Sequence, residues 1–227
     1  MPLHPLSPLA SALLSLTAIA GLLCVFVMLG SRWLDKYLYA FAAESWAIAA
    51  LAAVIAVSRN NDPELYLIAA LTALFRGLAL PYLIWRMIRR LAVTRELHEI
   101  LRPASGLVIG AAAVVFALAV SYRLRDSLNL GDAVVILALT VMIAIQLIGF
   151  LMLAVRQEAV TQVIGLLVLE NGILVGALIL VPGMPLLIEL MLLFDVLIAV
   201  ACFGVLVRYL TIHVGTTSTL ALKRLVG

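Results

Sequence analysis

Apolar residues do not alternate with polar ones along this chain, nor do they recur at a helical period. They come in mostly apolar runs of about 20, the length that an α-helix needs to cross a bilayer. The runs are Leu9–Gly30, Tyr37–Ser58, Leu65–Trp85, Ser105–Tyr122, Gly131–Ala154, Ala159–Leu180 and Pro185–Leu210, the fourth being the shortest. Charge, Gly or Pro breaks them at Ser31–Lys36, Arg59–Glu64, Arg86–Pro103, Arg123–Leu130, Val155–Glu158 and Val181–Met184. The pattern predicts an all-α integral membrane protein of about seven transmembrane helices. The turn Val181-Pro-Gly-Met-Pro185 is so short that the last two form an antiparallel hairpin. The first run has no basic residue before it and exceeds the usual signal-peptide core, so it reads as a retained helix.

Composition agrees. Of the 227 residues, 66% are hydrophobic and 12% charged, against about 45–50% and 25% in soluble domains. A soluble globule of this size could not hide that much apolar surface, whereas a bilayer can. The net charge of +3 is small and scattered, which argues against nucleic-acid binding. Its distribution sets an orientation. Arg59, Arg123 and Arg125 lie on one side of the membrane. On the other lie Arg32, Lys36, Arg86, Arg89, Arg90, Arg95, Arg102, Arg156, Arg208, Lys223 and Arg224. The positive-inside bias predicts an N-terminus outside and a C-terminus in the cytoplasm of a bacterial inner membrane.

The sizeable loop, Arg86–Arg102, alternates Arg and Glu with apolar residues. It reads either as an amphipathic interfacial helix or as a solvated basic loop. Gly106–Gly110 and Gly172–Gly176 are GxxxG patterns that permit close helix contact. Pro81 kinks the third helix or ends its regular part. Cys24 and Cys202 lie in apolar runs without metal-ligand spacing.

Ionisable residues at bilayer depth carry the chemistry. Each costs about 2.5–3.5 kcal/mol at a helix centre on insertion scales. Five stand there: Glu44, Arg76, Glu170, Glu189 and Asp195. Glu170 sits mid-span with Asn171 beside it and Gln162 two turns before it. On the hairpin, Glu170 and Asp195 reach similar depth, each roughly 15 Å from the outer end of its helix. Glu189 lies nearer that end, turned roughly 120° from Asp195. A guanidinium keeps its charge and needs a counter-ion; Glu44 on the adjacent span is the natural candidate for Arg76. The carboxylates read either as a proton relay or as groups that lock helices together. Gln146 and Gln162 serve as supporting polar groups, by holding water or bonding across helices.

The stretch Val160-Thr-Gln-Val-Ile-Gly-Leu-Leu-Val-Leu-Glu-Asn-Gly172, followed by Pro185-Leu-Leu-Ile-Glu-Leu-Met-Leu-Leu-Phe-Asp195, resembles component E of hydrogenase-4. That family belongs to membrane-bound [NiFe] hydrogenase and formate hydrogenlyase-type complexes. Its last three helices are similar to the K subunit of bacterial complex I. The resemblance divides the chain into an N-terminal four-helix region, 1–130, and a K-like three-helix region with a cytoplasmic tail, 131–227. Glu170 matches the glutamate of the second K helix. Asp195 stands where the third K helix has its glutamate. What the resemblance implies is a non-catalytic subunit of a redox-driven proton pump, its carboxylates forming part of a lateral proton path. No cofactor is expected in this chain; iron–sulfur clusters and a nickel–iron centre belong to partner subunits. The partners implied are antiporter-like membrane subunits, an anchor like the H subunit of complex I, and peripheral redox subunits. Competing readings are a subunit of a cation/proton antiporter complex, an independent transporter and a structural scaffold.

Overall fold

A computed structural model describes residues 8–59, 61–91, 103–128 and 133–180, together with Leu190 and Gly204. The described chain is helical throughout apart from short connections. Among the described residues, six helices are long and apolar enough to cross a membrane, with spans of 21–25 residues. Helices are the natural outcome for such runs: in hydrocarbon each backbone N–H and C=O must find its partner within the segment.

Helix α1 is Pro8–Gly30 and α2 is Leu34–Ser58. Helix α3 is composite, α-helical over Pro63–Leu71, π-helical over Thr72–Ala79 and α-helical again over Leu80–Leu91. Helices α4, α5 and α6 are Pro103–Leu128, Ala133–Val155 and Ala159–Leu180. Each matches one of the first six apolar runs. The seventh, Pro185–Leu210, lies outside the described residues, save that Leu190 and Gly204 are helical. The last part of the Arg86–Arg102 loop lies outside them too. Its first residues, through Leu91, continue α3.

The fourth run is not the shortest helix. Hydropathy ends it at Tyr122, but α4 has 26 residues and carries on to Leu128. Helix-forming residues continue past the apolar stretch, and Arg123 and Arg125 are exposed on this extension, where long basic side chains are tolerated near a membrane surface.

Local chemistry ends the helices. Between α2 and α3, Asn61 adopts a left-handed backbone (φ 62°). Asp62 then caps α3 by accepting from the Glu64 N–H at 3.1 Å, with Pro63 in the first turn. Between α1 and α2, the carbonyls at the end of α1 are met by a distant side chain. Arg156, in the α5–α6 turn and 2% exposed, donates through Nη2 to the carbonyls of Met28, Leu29 and Ser31 at 3.0, 3.2 and 3.3 Å. Its guanidinium also lies 5.1 Å over the Tyr37 ring. A cation at a helix C-terminus satisfies orphan carbonyls and opposes the dipole. The α1–α2 and α5–α6 turns are thereby fastened together at one end of the bundle.

Helix α6 is the central element, with 72% of its spanning window buried against 22% for α4. It packs on α5 and α2; α1 packs on α2, α4 and α5; α3 packs on α2. One core therefore joins the first four helices to α5 and α6, with Met28, Phe41, Ile48, Ile148, Ile164 and Leu174 among its members. In lipid such packing depends on close approach more than on burial from water. Both GxxxG patterns lie on helix contacts: Gly106 and Gly110 face Leu29 of α1, and Gly172 and Gly176 face Gln146 and Met142 of α5. The closest backbone-to-backbone approach is elsewhere on that interface. A Cβ at Gly149 would lie 2.9 Å from the Leu169 backbone nitrogen and 3.1 Å from the Gly165 carbonyl oxygen. Gly149→Ala is thus expected to lower stability by about 1–3 kcal/mol. Gly21→Ala, where the nearest atom is 4.0 Å away, is expected to change it by no more than about 0.5 kcal/mol. Thermal unfolding of the two variants in detergent checks the contrast.

Candidate functional site

The site forms where the middles of three helices meet. Helix α2 brings Glu44, which is fully buried, and α3 brings Arg76, 1% exposed. Helix α6 brings Glu170 and Asn171, at 7% and 0%. Counted along their spans, Glu44, Arg76 and Glu170 stand near mid-length. All are therefore at the depth where a lone charge costs most.

Arg76 is the hub. Its Nη1 donates to Asn171 Oδ1 at 2.6 Å, and its Nη2 lies 3.5 Å from Glu170 Oε2. Glu44 belongs to the same cluster: the Asn171 carboxamide stands against it and Arg76 acts on it through space. Neither Glu44 oxygen closes a hydrogen bond of strict geometry. Glu44 alone is therefore not the counter-ion of Arg76. The guanidinium acts on both carboxylates, and the direct ion pair is with Glu170. The sequence pointed to Glu44 because the second and third spans are chain neighbours. Arg76 instead reaches across to α6, which a long, forked side chain can do.

The π-helix explains how Arg76 gets there. Pro81 lacks an N–H, and in a regular α-helix its ring would press on the Gly77 carbonyl. The backbone before it widens to the π register, and the N–H of Leu80 bonds the Phe75 carbonyl five residues back. Extra residues per turn rotate the side chains of the segment relative to an α-helix, and such turns recur at functional sites. The expected kink or end of regular helix at Pro81 is present as this π segment, set just before the proline. Gly77 keeps α3 close to α2: a Cβ there would meet Trp46 Nε1 at 3.0 Å.

The remaining candidates are dispersed. Gln146 of α5 lies against Gly172, one residue from Asn171. Gln162 is not near the cluster. Two turns below Glu170, its Nε2 donates to the Arg156 carbonyl at 2.9 Å and holds the α5–α6 turn. Glu189 and Asp195 lie outside the described residues. Among the described residues no group of three or more His, Cys, Asp and Glu could hold a metal ion.

Two features escaped sequence reasoning. One is the tie between Arg76 and the Glu170-Asn171 pair. Its signal was available, since all three stand near mid-span and a buried arginine demands an anion. The other is Arg156, which counted as one more basic loop residue and turns out to be a buried cap.

Comparison with known proteins is narrow. Neither a family model nor a solved structure matches the chain. A protein of Mycobacterium tuberculosis, described as uncharacterized protein Rv0085, is 36% identical over 165 residues, which cover 71% of this chain and 74% of that protein. Identity of that level over most of both lengths shows common descent, and the chain belongs to the same family as Rv0085.

Proposed function

We propose that this chain is a membrane subunit of a complex I-related, redox-driven proton-translocating complex of the hydrogenase-4 type, and that its buried carboxylates form part of a lateral proton path. The observation that carries the reading is the cluster of Glu44, Arg76, Glu170 and Asn171 at mid-depth. Two carboxylates and one guanidinium have a formal charge of −1 in a medium that penalises net charge. One proton shared over the carboxylates makes the cluster neutral. Arg76 acts on both carboxylates, so the proton's position and the guanidinium's pairing change together. A group of this kind can receive a proton from one side and pass it to the other. A pair that only locks helices would need one carboxylate, not two.

The reading also rests on the resemblance of Val160–Val200 to the K-type helices. In it Glu170 is a relay group and Asp195 the next one, with Glu44 and Glu189 as further carboxylates. The N-terminus lies outside and the C-terminus in the cytoplasm of the bacterial inner membrane. The chain catalyses no redox step itself. Electrons pass through partner subunits with iron–sulfur clusters and a nickel–iron centre, next to antiporter-like subunits and an H-like anchor. A cation/proton antiporter subunit is the second reading. It fits less well because α2 and α3, which supply half of the cluster, lie outside the K-like part.

Affinity purification of the tagged chain from its native membrane in mild detergent tests the assignment. Iron and acid-labile sulfide are expected to co-purify in stoichiometric amount with larger membrane subunits. Recovery of the chain with antiporter-like subunits but no iron would contradict it.

A further inference from the structure

Between α2 and α3, on the side away from the buried cluster, runs a cleft of about 470 Å³. That lies within the usual ligand-pocket range of about 300–1,000 Å³. Its walls include Asp35, Tyr39, Trp46, Gly77, Tyr82 and Trp85. Asp35 stands in the first turn of α2. Trp46 comes eleven positions later, about 16 Å along the helix. The cleft thus runs from the membrane surface to about mid-depth, the length of one leaflet's hydrocarbon layer, about 15 Å. Its deep end is apolar and lies at Gly77, the residue after Arg76.

The mouth is built differently. Tyr82 accepts a hydrogen bond from Arg86 Nη1 at 3.3 Å. Trp85 carries the Arg89 guanidinium 3.9 Å over its ring. Both arginines are exposed, and each is held in place by an aromatic residue of the cleft wall. Aromatic side chains at this level mark the headgroup region. Two cations against the one carboxylate of Asp35 leave the mouth positively charged. Basic pockets between helices at the membrane surface suit anionic headgroups.

We infer that this cleft binds one anionic phospholipid, its phosphate on Arg86 and Arg89 and one acyl chain laid along the groove toward Gly77. The shape supplies the chain site and the fixed guanidiniums supply the headgroup site. The proposal is independent of the proton-path reading.

The test uses the full chain in phosphatidylcholine nanodiscs doped with phosphatidylglycerol whose acyl chains are brominated. Bromine quenches tryptophan fluorescence at short range, and Trp46 and Trp85 line the cleft. The expected preference for phosphatidylglycerol over brominated phosphatidylcholine is about fivefold. Arg86→Gln/Arg89→Gln is expected to bring the preference close to one. The control Arg123→Gln/Arg125→Gln, which removes an exposed pair on α4, is expected to leave it unchanged. Ala42→Phe fills the groove, since Ala42 lines it, and is expected to abolish the preference with both arginines intact. Equal binding of the two lipids by the wild-type chain overturns the proposal. So does a preference that survives Arg86→Gln/Arg89→Gln, or one that the α4 control loses to the same extent.

Discussion

Arg76→Met is expected to lower the stability of the folded chain by about 3–5 kcal/mol, the penalty for leaving a buried charge without its partner. The methionine fits the space of the arginine stem but leaves Glu44 and Glu170 facing each other across a helix contact. It also removes the 2.6 Å bond to Asn171, whose side chain is fully buried. Arg76→Lys is expected to fall between, because an ammonium keeps the charge but cannot fork between α2 and α6. Adding Glu44→Gln to Arg76→Met is expected to recover part of the loss by taking away one of the two stranded carboxylates. Accumulation in the membrane and thermal unfolding in detergent check the series. Wild-type accumulation and unfolding of Arg76→Met would show that the carboxylates do not depend on the guanidinium.

How far the fold could be read in advance followed from what hydropathy measures. Apolar runs of spanning length can only be helices in a bilayer, so α1 to α6 were visible as runs. Hydropathy reports solvent, however, and not where a helix stops. It therefore missed the extension of α4 through Arg123 and Arg125, and it placed the start of α3 at Leu65 although Asp62-Pro63 carries a cap. The π segment was half visible. Pro81 marked an irregularity, but a missing N–H does not say whether the chain answers by kinking or by widening. Packing was least legible. The GxxxG pairs do sit on contacts, yet the backbones themselves come closest at Gly149 and Gly165, which form no such pattern between them.

At the site, position along each span was enough to single out Glu44, Arg76 and Glu170, because the cost of burial makes such residues improbable without a role. Depth does not supply azimuth. The pairing of Arg76 with α6 depends on how α2, α3 and α6 are arranged around one another, and no single helix encodes that. Gln162 shows the opposite error. Its place two turns from Glu170 suggested a group that holds water or bonds across helices, whereas its amide closes the α5–α6 turn on the Arg156 carbonyl.

Glu170→Gln is expected to slow proton translocation roughly a hundredfold, the lower range for loss of a positioned proton-transfer group. Glutamine keeps the shape and an acceptor oxygen for Arg76 but cannot bind and release a proton. Because the ion pair at 3.5 Å gives way to a neutral contact, while Glu44 remains to balance Arg76, the complex is expected to assemble normally. Glu170→Asp retains a carboxylate on a shorter stem and is expected to keep part of the rate.

The most direct measurement is redox-driven proton uptake by membrane vesicles containing the wild-type complex or Glu170→Gln, with equal assembly confirmed by subunit stoichiometry and electron-transfer rate. Uptake is expected to collapse in the variant while the complex remains whole. Unchanged uptake by an assembled Glu170→Gln complex would contradict the proton-path reading: the carboxylate would then tie helices together, and the subunit would act as a scaffold.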